Sequence, residues 1–155
     1  MYTQSNRSAA NGPALFMSLA GDLGTGKTTA TRHLLKAMGY AGKVKSPTYS
    51  LCEEYHLNLS HHKRLAIFHF DLYRMQSPDE WVEAGLREPF SHPQGPTLCI
   101  VEWPEKAEAT LPTMDLAITL SHLVDDETQH GRRVQFEAHS DAGERIVDAL
   151  VKASP

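Results

Sequence analysis

The chain has 155 residues, the length of one domain, and its 41% hydrophobic and 22% charged residues exclude a disordered, collagenous or coiled-coil protein. Its net charge of −4 disfavours unspecific adhesion to nucleic acid, although residues 1–75 carry +5 and residues 76–155 carry −9. No apolar run has the length of a membrane helix, no signal peptide is recognisable, and two cysteines make no disulfide framework. We therefore expect one domain over residues 1–155, located in the cytoplasm and independent of membranes.

A phosphate-binding motif follows the first predicted strand. Residues 1–13 are polar and are expected to form a flexible lead, whereas Ala14–Ala20 is an apolar run of strand length. The next eight residues, GDLGTGKT, match G-x-x-x-x-G-K-[ST] in full, and residues 28–38 show helical spacing of apolar side chains. The backbone N–H groups of such a loop and the start of its helix bind phosphate oxygens. The residues predicted to bind a nucleoside triphosphate are Gly21, Asp22, Leu23, Gly24, Thr25, Gly26, Lys27 and Thr28.

The middle of the chain predicts an antiparallel pair of strands followed by a short helix. Residues 49–55 and 65–73 have the composition of strands, and the polar residues 58–64 between them form a loop. Ser77 is the expected N-cap of the helix, which ends at about Ala84.

The second half of the chain predicts a buried strand, a hairpin and a terminal helix. Residues 97–103 (TLCIVEW) are continuously apolar, as in a strand that is buried on both faces. Residues 115–123 and 133–139 alternate, which favours a hairpin with one exposed face across the segment DDETQHG. Asp141 is the expected cap of the last helix. These elements together predict an α/β fold with a mixed sheet.

Two acidic residues are candidates for the second part of a nucleotide site. A P-loop protein requires an acid that orients the metal, commonly at the end of a buried strand. Asp71 follows IFHF and Glu102 follows LCIV. We predict both as metal ligands together with Thr28, and as catalytic residues together with Lys27; the alternative for each acid is a structural salt bridge. His69 shares a strand face with Asp71, so it is expected either to hydrogen-bond that carboxylate or to pack in the core.

The motifs that are missing narrow the class of P-loop protein. None of the three asparagines is followed by lysine, which disfavours guanine recognition and leaves adenine as the expected base. The Ser-Gly-Gly signature of transporter ATPases is also absent. A small-molecule phosphotransferase and a nucleotide-gated binding module stay open as alternatives to an ATPase. Tyr49 and Tyr55 fit an interaction face and strand packing equally well.

Four motifs in order, GDLGTGKTT, VKSPTYSLCEEY, HFDLYR and VEWPE, resemble the bacterial TsaE (YjeE) family over residues 14–105. That family is the ATPase component of the machinery that makes threonylcarbamoyladenosine at position 37 of transfer RNA. The resemblance implies a P-loop NTPase-like three-layer domain with a mixed parallel and antiparallel sheet. It also implies ATP and Mg²⁺ as cofactors, and slow hydrolysis until a partner completes the site.

The resemblance also assigns roles to individual residues. Thr29 would contact the α phosphate, and the segment that contains Thr48 resembles a switch-like loop near the γ phosphate. Asp71 and Glu102 resemble the acids that handle Mg²⁺ and the attacking water, and Trp103 matches an aromatic residue of the last motif. The implied partners are the threonylcarbamoyl-transferase subunit and its dimerising paralogue (TsaD and TsaB type), with tRNA contacted only indirectly. Only about 13 polar residues precede Ala14, where the family usually has a further strand and helix, so no adenine contact is assigned.

Overall fold

The computed structural model describes residues 13–123 and 131–155 and contains one six-stranded mixed sheet. The predicted lead over residues 1–13 and the hairpin connection over residues 125–131 lie outside the described residues, apart from Pro13 and Gly131. The strands are β1 Ala14–Ala20, β2 Cys52–Asn58, β3 Arg64–Asp71, β4 Thr97–Glu102, β5 Leu116–His122 and β6 Arg132–Ala138.

In the strand order β2-β3-β4-β1-β5-β6, the strands β1, β3 and β4, which the predicted site residues follow or end, are neighbours. Their carboxyl ends therefore lie side by side. The four central strands are parallel, while β2 and β6 pair antiparallel at the two borders, as both predicted hairpins require. The registers place Leu19 of β1 and Asp71 of β3 beside Glu102 of β4. Ligands of open α/β sheets bind at the carboxyl ends of parallel strands, so this register assembles a site there.

Helices cover both faces of the sheet, which confirms the predicted three layers. Leu35 and Ile146 pack with apolar residues of the sheet on one face, whereas Trp81 and Phe90 pack on the other. Each helix therefore buries apolar side chains that water would otherwise surround. This burial stabilises the fold by roughly 25 cal/mol per Å² of apolar surface removed from water. The helices are α1 Lys27–Ala37, α2 Glu80–Glu83, α3 Glu88–Ser91 and α4 Asp141–Ala153. No helix among the described residues is long and apolar enough to cross a membrane.

Strand β4 is the buried central strand that its composition predicted. All six of its residues are buried, because parallel neighbours flank it and helices cover both of its faces. The strand ends at Glu102, one residue before the predicted end. Trp103 has a φ of +61°, in the left-handed region, and this turn directs the chain away from the sheet.

The second strand begins later than predicted. Residues 49–51 are not in a strand, and β2 starts at Cys52 and continues to Asn58. Leu51 has a φ of +61°, which no extended strand accommodates, and the three residues before it form a turn. The predicted polar loop over residues 58–64 shrinks to residues 59–63, because strand pairing includes Asn58 and begins again at Arg64.

One of the two predicted helix caps is confirmed, and the other is wrong by one residue. Ser77 caps the turn that leads into α2, because its hydroxyl accepts from the N–H of Asp79 at 3.4 Å and its own N–H donates to Oε1 of Glu80 at 2.8 Å. The regular helix then begins at Glu80. Helix α4 has Ser140 as its N-cap, whose hydroxyl accepts from the N–H of Gly143 at 3.2 Å. Asp141 becomes the first helical residue, where its charge complements the helix dipole.

The other boundaries differ from the predictions by one or two residues. Helix α1 runs from Lys27 to Ala37 rather than over residues 28–38. Strand β3 ends at Asp71, before the predicted residue 73, because the chain turns there. Element ends fray and depend on capping, so shifts of this size leave the faces of the elements unchanged.

Candidate nucleotide site

The loop between β1 and α1, residues 21–28, has the backbone geometry of a phosphate cradle. Gly21, Gly24 and Gly26 have φ values of +144°, +78° and +100°, a region that side chains disfavour. Gly26 is the N-cap of α1 in the left-handed conformation. A Cβ atom on Gly21 would collide with the carbonyl oxygen of Leu120, so this glycine is required for space as well as for conformation. The glycine spacing of the motif thus has a structural cause.

The start of α1 presents unsatisfied N–H groups to a cavity of about 330 Å³. The amides of Lys27, Thr28 and Thr29 lie in the first helical turn, where no carbonyl of the same helix is available as an acceptor. These three residues line the cavity together with Leu23, Gly24 and Gly26. Amide donors and the positive end of the helix dipole favour an anion in this cavity.

Lys27 is held inside the cradle with 5% of its surface exposed. Its Nζ donates to the carbonyl oxygens of Gly21 at 2.5 Å and Asp22 at 2.9 Å. The same ammonium lies 3.8 Å above the ring centre of Trp103, a cation–π contact. Burial lowers the pKa of Lys27 from its usual value, while the charge of Glu102 acts in the opposite direction. A phosphate that enters the cavity therefore meets a poorly solvated cation.

Glu102 connects the sheet to the first turns of α1. Its side chain is buried, with 2% exposed, at the carboxyl end of β4. Oε2 accepts from the hydroxyl of Thr28 at 2.9 Å, and Oε1 accepts from the hydroxyl of Thr31 at 3.5 Å. Oε1 also lies 2.7 Å from Nε2 of His69. The two predicted metal ligands Thr28 and Glu102 are therefore in direct contact.

Asp71 is bound to the SPTY loop, residues 46–49. Its Oδ2 accepts from the hydroxyls of Ser46 and Thr48, both at 3.1 Å, and these hydroxyls lie 2.8 Å from each other. Its Oδ1 accepts from the N–H of Tyr73 at 3.0 Å. Asp71 is 5% exposed and borders the same cavity as Glu102. The carboxylate thus joins the strand end to a loop that lies over the cavity.

The partner of His69 differs from the predicted one. The ring is fully buried and bonds to Glu102 on the neighbouring strand rather than to Asp71 on its own strand. The register pairs His69 with Ile100 and Asp71 with Glu102, so Glu102 lies diagonally across from His69, and its long side chain spans the gap to the ring. The shorter side chain of Asp71 is bound to the SPTY loop instead. The strand period correctly predicted the face of His69, but the pairing register determined its partner.

Two aromatic side chains line the cavity, and a third, Tyr49, follows the cavity-lining Thr48 in the sequence. The rings of Tyr73 and Trp103 lie 4.8 Å apart, and both residues line the cavity. Tyr49 is 85% exposed, with the guanidinium of Arg74 4.2 Å from its ring centre. Tyr55, in contrast, is a buried packing residue. Of the two alternatives predicted for these tyrosines, exposure on an interaction face fits Tyr49, and packing in the core fits Tyr55.

Most of the predicted site residues line the cavity, and three shape the loop instead. Gly21, Asp22 and Thr25 lie outside the lining. The Asp22 carbonyl accepts from both the N–H and the hydroxyl of Thr25, which closes the turn of the cradle. The predicted residues in the lining are Leu23, Gly24, Gly26, Lys27, Thr28, Thr29, Thr48, Asp71 and Glu102.

The sequence predicted no site role for Tyr73 and Thr31, and it placed Ser46 in the switch-like loop without naming it as a ligand. Ser46 and Tyr73 border the cavity, and Thr31 touches Glu102 from the second turn of α1. Only one signal was available for Thr31, its spacing of four residues from Lys27, which places both on one side of the helix. Among residues 13–123 and 131–155, no cluster of three or more His, Cys, Asp or Glu side chains is arranged to hold a metal.

Comparison with known proteins agrees with this geometry. A family model described as "Threonylcarbamoyl adenosine biosynthesis protein TsaE" matches residues 3–134. The tRNA threonylcarbamoyladenosine biosynthesis protein TsaE of Haemophilus influenzae is 38% identical over 137 residues, which cover 88% of this chain and 78% of that protein. The protein of the same name from Bacillus subtilis is 36% identical over 138 residues, covering 89% and 78%.

A solved structure supports the same assignment. The crystal structure of YdiB from Bacillus subtilis aligns with a TM-score of 0.66 and 30% identity, over 90% of this chain and 78% of that chain. The matching region includes the cradle, both strand-end acids and the SPTY loop. From the family model and these relatives, we conclude that the chain belongs to the TsaE family.

Proposed function

We propose that this protein binds ATP with Mg²⁺ in the cradle, hydrolyses the nucleotide, and thereby drives the threonylcarbamoyladenosine modification of tRNA. The family and its relatives carry the name of that biosynthesis. The observation that supports hydrolysis best is the contact of Thr28 with Glu102, which joins the motif hydroxyl to a strand-end carboxylate at 2.9 Å. P-loop NTPases use such a pair beside the phosphates.

Each residue of the cradle has a distinct proposed role. The ammonium of Lys27 binds the β and γ phosphates after it leaves the carbonyl oxygens of Gly21 and Asp22. The first-turn amides of α1 hold the phosphate oxygens, and Thr29 binds the α phosphate. Asp71 and Glu102 orient the attacking water and the cation. This arrangement places the negative charge of the triphosphate against donors that are already oriented, which is the usual source of catalysis in phosphoryl transfer.

The donor set fits Mg²⁺. This cation prefers oxygen ligands and commonly binds through one or two carboxylates together with substrate phosphates, so it requires no cluster of three acidic side chains. The hydroxyl of Thr28 and the carboxylates of Glu102 and Asp71 are oxygen donors at one cavity. When bound, Mg²⁺ would neutralise the negative charge that develops on the phosphates during the reaction.

We further propose that the threonylcarbamoyl-transferase subunit and its dimerising paralogue, of the TsaD and TsaB type, complete the site. Lys27 is the one basic residue in the lining of the cavity within the described part of the chain. Arg74 lies outside that lining and stacks on Tyr49. A cation that is supplied in trans accelerates other P-loop enzymes by about 10³–10⁵. The exposed Tyr49 beside the cavity supports docking of a protein at its opening.

The position of the wider cavity, in the part of the chain that the structure describes, disfavours the alternative function of small-molecule phosphotransfer. A wider cavity of about 590 Å³ is present, but Arg64 and Thr97 in its lining mark the amino ends of β3 and β4. The cradle lies at the opposite, carboxyl ends. A small-molecule phosphate acceptor in the wider cavity would be separated from the γ phosphate in the cradle by the length of these strands, at about 3.3 Å per residue.

Phosphate release and partner binding together test the proposal. We expect slow release of phosphate by the protein alone and faster release with both partner proteins, without a phosphorylated small molecule. A pull-down of the transferase should depend on ATP, because only a ligand that distinguishes two states shifts their populations. Equal binding with ATP, with ADP and without nucleotide, together with unstimulated hydrolysis, would refute the partner role. Mass spectrometry of tRNA nucleosides after depletion tests the pathway.

A further inference from the structure

The interior of the sheet contains a histidine that the proposed catalytic roles do not use. His69 lies on β3 between Phe68 and Phe70, and none of its surface is exposed. Its ring faces the same layer as α1, where Ile67 of the same strand contributes to the apolar core. A buried polar ring costs stability unless its nitrogen atoms are hydrogen-bonded. An apolar residue would fill this position without that cost, so the contacts of the ring require an explanation.

The two ring nitrogens of His69 have different surroundings. Nε2 lies 2.7 Å from Oε1 of Glu102, whereas Nδ1 is buried and has no hydrogen-bond partner among the described residues. A carboxylate accepts hydrogen bonds only, so Nε2 carries the hydrogen and donates it. Nδ1 makes no hydrogen bond within the described part of the chain, so it does not compete with Nε2 for the orientation of the ring. The whole hydrogen-bonding capacity of this ring is therefore directed at one oxygen of Glu102.

The contacts of Glu102 show what this bond does. Thr28 on α1 donates to Oε2, and His69 on β3 donates to Oε1, so the two oxygens are held from two different elements. The terminal torsion of a glutamate side chain has a broad energy minimum, and two such bonds remove its freedom to rotate. Because Thr28 donates its hydroxyl hydrogen to Glu102, the lone pairs of its oxygen stay available to a cation. The third contact, from Thr31 at 3.5 Å, is too long to replace His69.

We infer that His69 is a positioning residue, which fixes the carboxylate plane of Glu102 and so keeps the Thr28 hydroxyl directed toward the cation site. This inference rests on the proposed hydrolysis of ATP and adds a residue that touches neither phosphate nor metal. Outer-shell hydrogen bonds of this kind typically contribute about 10–100-fold to metal affinity or activity. Loss of His69 should therefore slow the chemical step more than it weakens nucleotide binding.

Two substitutions separate hydrogen bonding from packing. His69→Leu fills a similar volume but removes the donor, and His69→Gln keeps an N–H donor at the corresponding distance from the backbone. We expect kcat of the leucine variant to fall about 10–100-fold, with KM for ATP changed less than about threefold. The glutamine variant should recover most of the lost kcat. The matched control is Ile67→Val on the same buried strand face, which alters packing and should leave kcat unchanged.

Two measurements besides turnover complete the test. Titration calorimetry should show that Mg²⁺ tightens ATP binding less in His69→Leu than in the wild type, with equal affinity in EDTA. Nitrogen-15 NMR of labelled histidine should show that Nε2 of His69 carries a hydrogen, with a resonance that shifts in Glu102→Gln. A glutamine variant as slow as the leucine variant, or a histidine resonance that is insensitive to Glu102→Gln, would overturn the inference.

The outcomes for the two proposals can be told apart. If the wild-type protein with its partners releases no phosphate, the proposed hydrolysis fails, and the calorimetric and NMR measurements alone decide on His69. If the wild type hydrolyses ATP and both His69 variants match its kcat, only the role of His69 is refuted. Near-ultraviolet circular dichroism and thermal melting confirm in each case that the variants are folded.

Discussion

Replacement of Lys27 by alanine tests the assignment of the cradle most directly. The ammonium makes two hydrogen bonds to backbone carbonyls and lies over the ring of Trp103, and no triphosphate contact is needed to hold it there. Lys27→Ala therefore removes one buried cation while the glycine-rich backbone and the amides of α1 stay in place. The fold should persist, because neither apolar core includes the Lys27 side chain.

The expected loss of ATP affinity follows from the burial of this cation. Two unit charges about 4 Å apart interact by about 4 kcal/mol at an effective dielectric constant of about 20. Part of this energy is offset because Lys27 gives up its bonds to Gly21 and Asp22, each worth about 1.5–3 kcal/mol for a charged donor. Because the ammonium is proposed to meet both the β and the γ phosphate, the attraction amounts to about 8 kcal/mol and exceeds the cost of about 3–6 kcal/mol for the two lost bonds. Lys27→Ala should therefore weaken ATP binding by at least about 1.4 kcal/mol, which is a tenfold or greater rise in the Kd.

Titration calorimetry of ATP in the presence of Mg²⁺ measures this loss. The matched control is Lys36→Ala, an exposed lysine in the last turn of the same helix, whose replacement should leave the Kd unchanged. The pH dependence has a defined sign. The pKa of Lys27 in the folded protein is below 10.5, so the nucleotide-free protein gains stability as the pH rises from that lowered pKa toward 10.5, whereas ATP affinity falls. A folded Lys27→Ala protein with wild-type ATP affinity would refute the assignment of the cradle.

Three further predictions concern the acids, the loop and the thiols. Glu102→Gln and Asp71→Asn should fold normally and lose at least about 100-fold in partner-stimulated phosphate release; wild-type turnover would remove that acid from the catalytic set. Gly21→Ala should lower the free energy of unfolding in urea by about 2 kcal/mol or more, because of its positive φ and the collision at its Cβ; equal stability would contradict the loop geometry. Partial burial raises the pKa of Cys52 to about 12 and Cys99 is fully buried, so at pH 8 a thiol reagent should label Cys52 slowly and Cys99 only after denaturation; rapid labelling of Cys99 in the native protein would contradict its burial.

Local chemistry explains why the cradle was predictable from the sequence. One continuous turn from a strand into a helix requires the spacing of Gly21, Gly26, Lys27 and Thr28. The conformation of this loop therefore depends on residues that are neighbours in the sequence, and the motif alone predicts it. Strand β4 was equally predictable from the sequence, since a short, continuously apolar run is typical of a parallel strand that is buried on both faces. The choice of Asp71 and Glu102 followed from their positions at strand ends.

Contacts between distant segments were decided only by the tertiary structure. His69 and Asp71 are close in sequence, yet the pairing of β3 with β4 places Glu102 diagonally across from His69, and the two side chains bond although they are 33 residues apart. The start of β2 depended on the left-handed turn at Leu51, which alternating residues do not reveal. Sequence periodicity defines the face on which a side chain lies, whereas strand register, set by packing over the whole sheet, determines what that side chain touches.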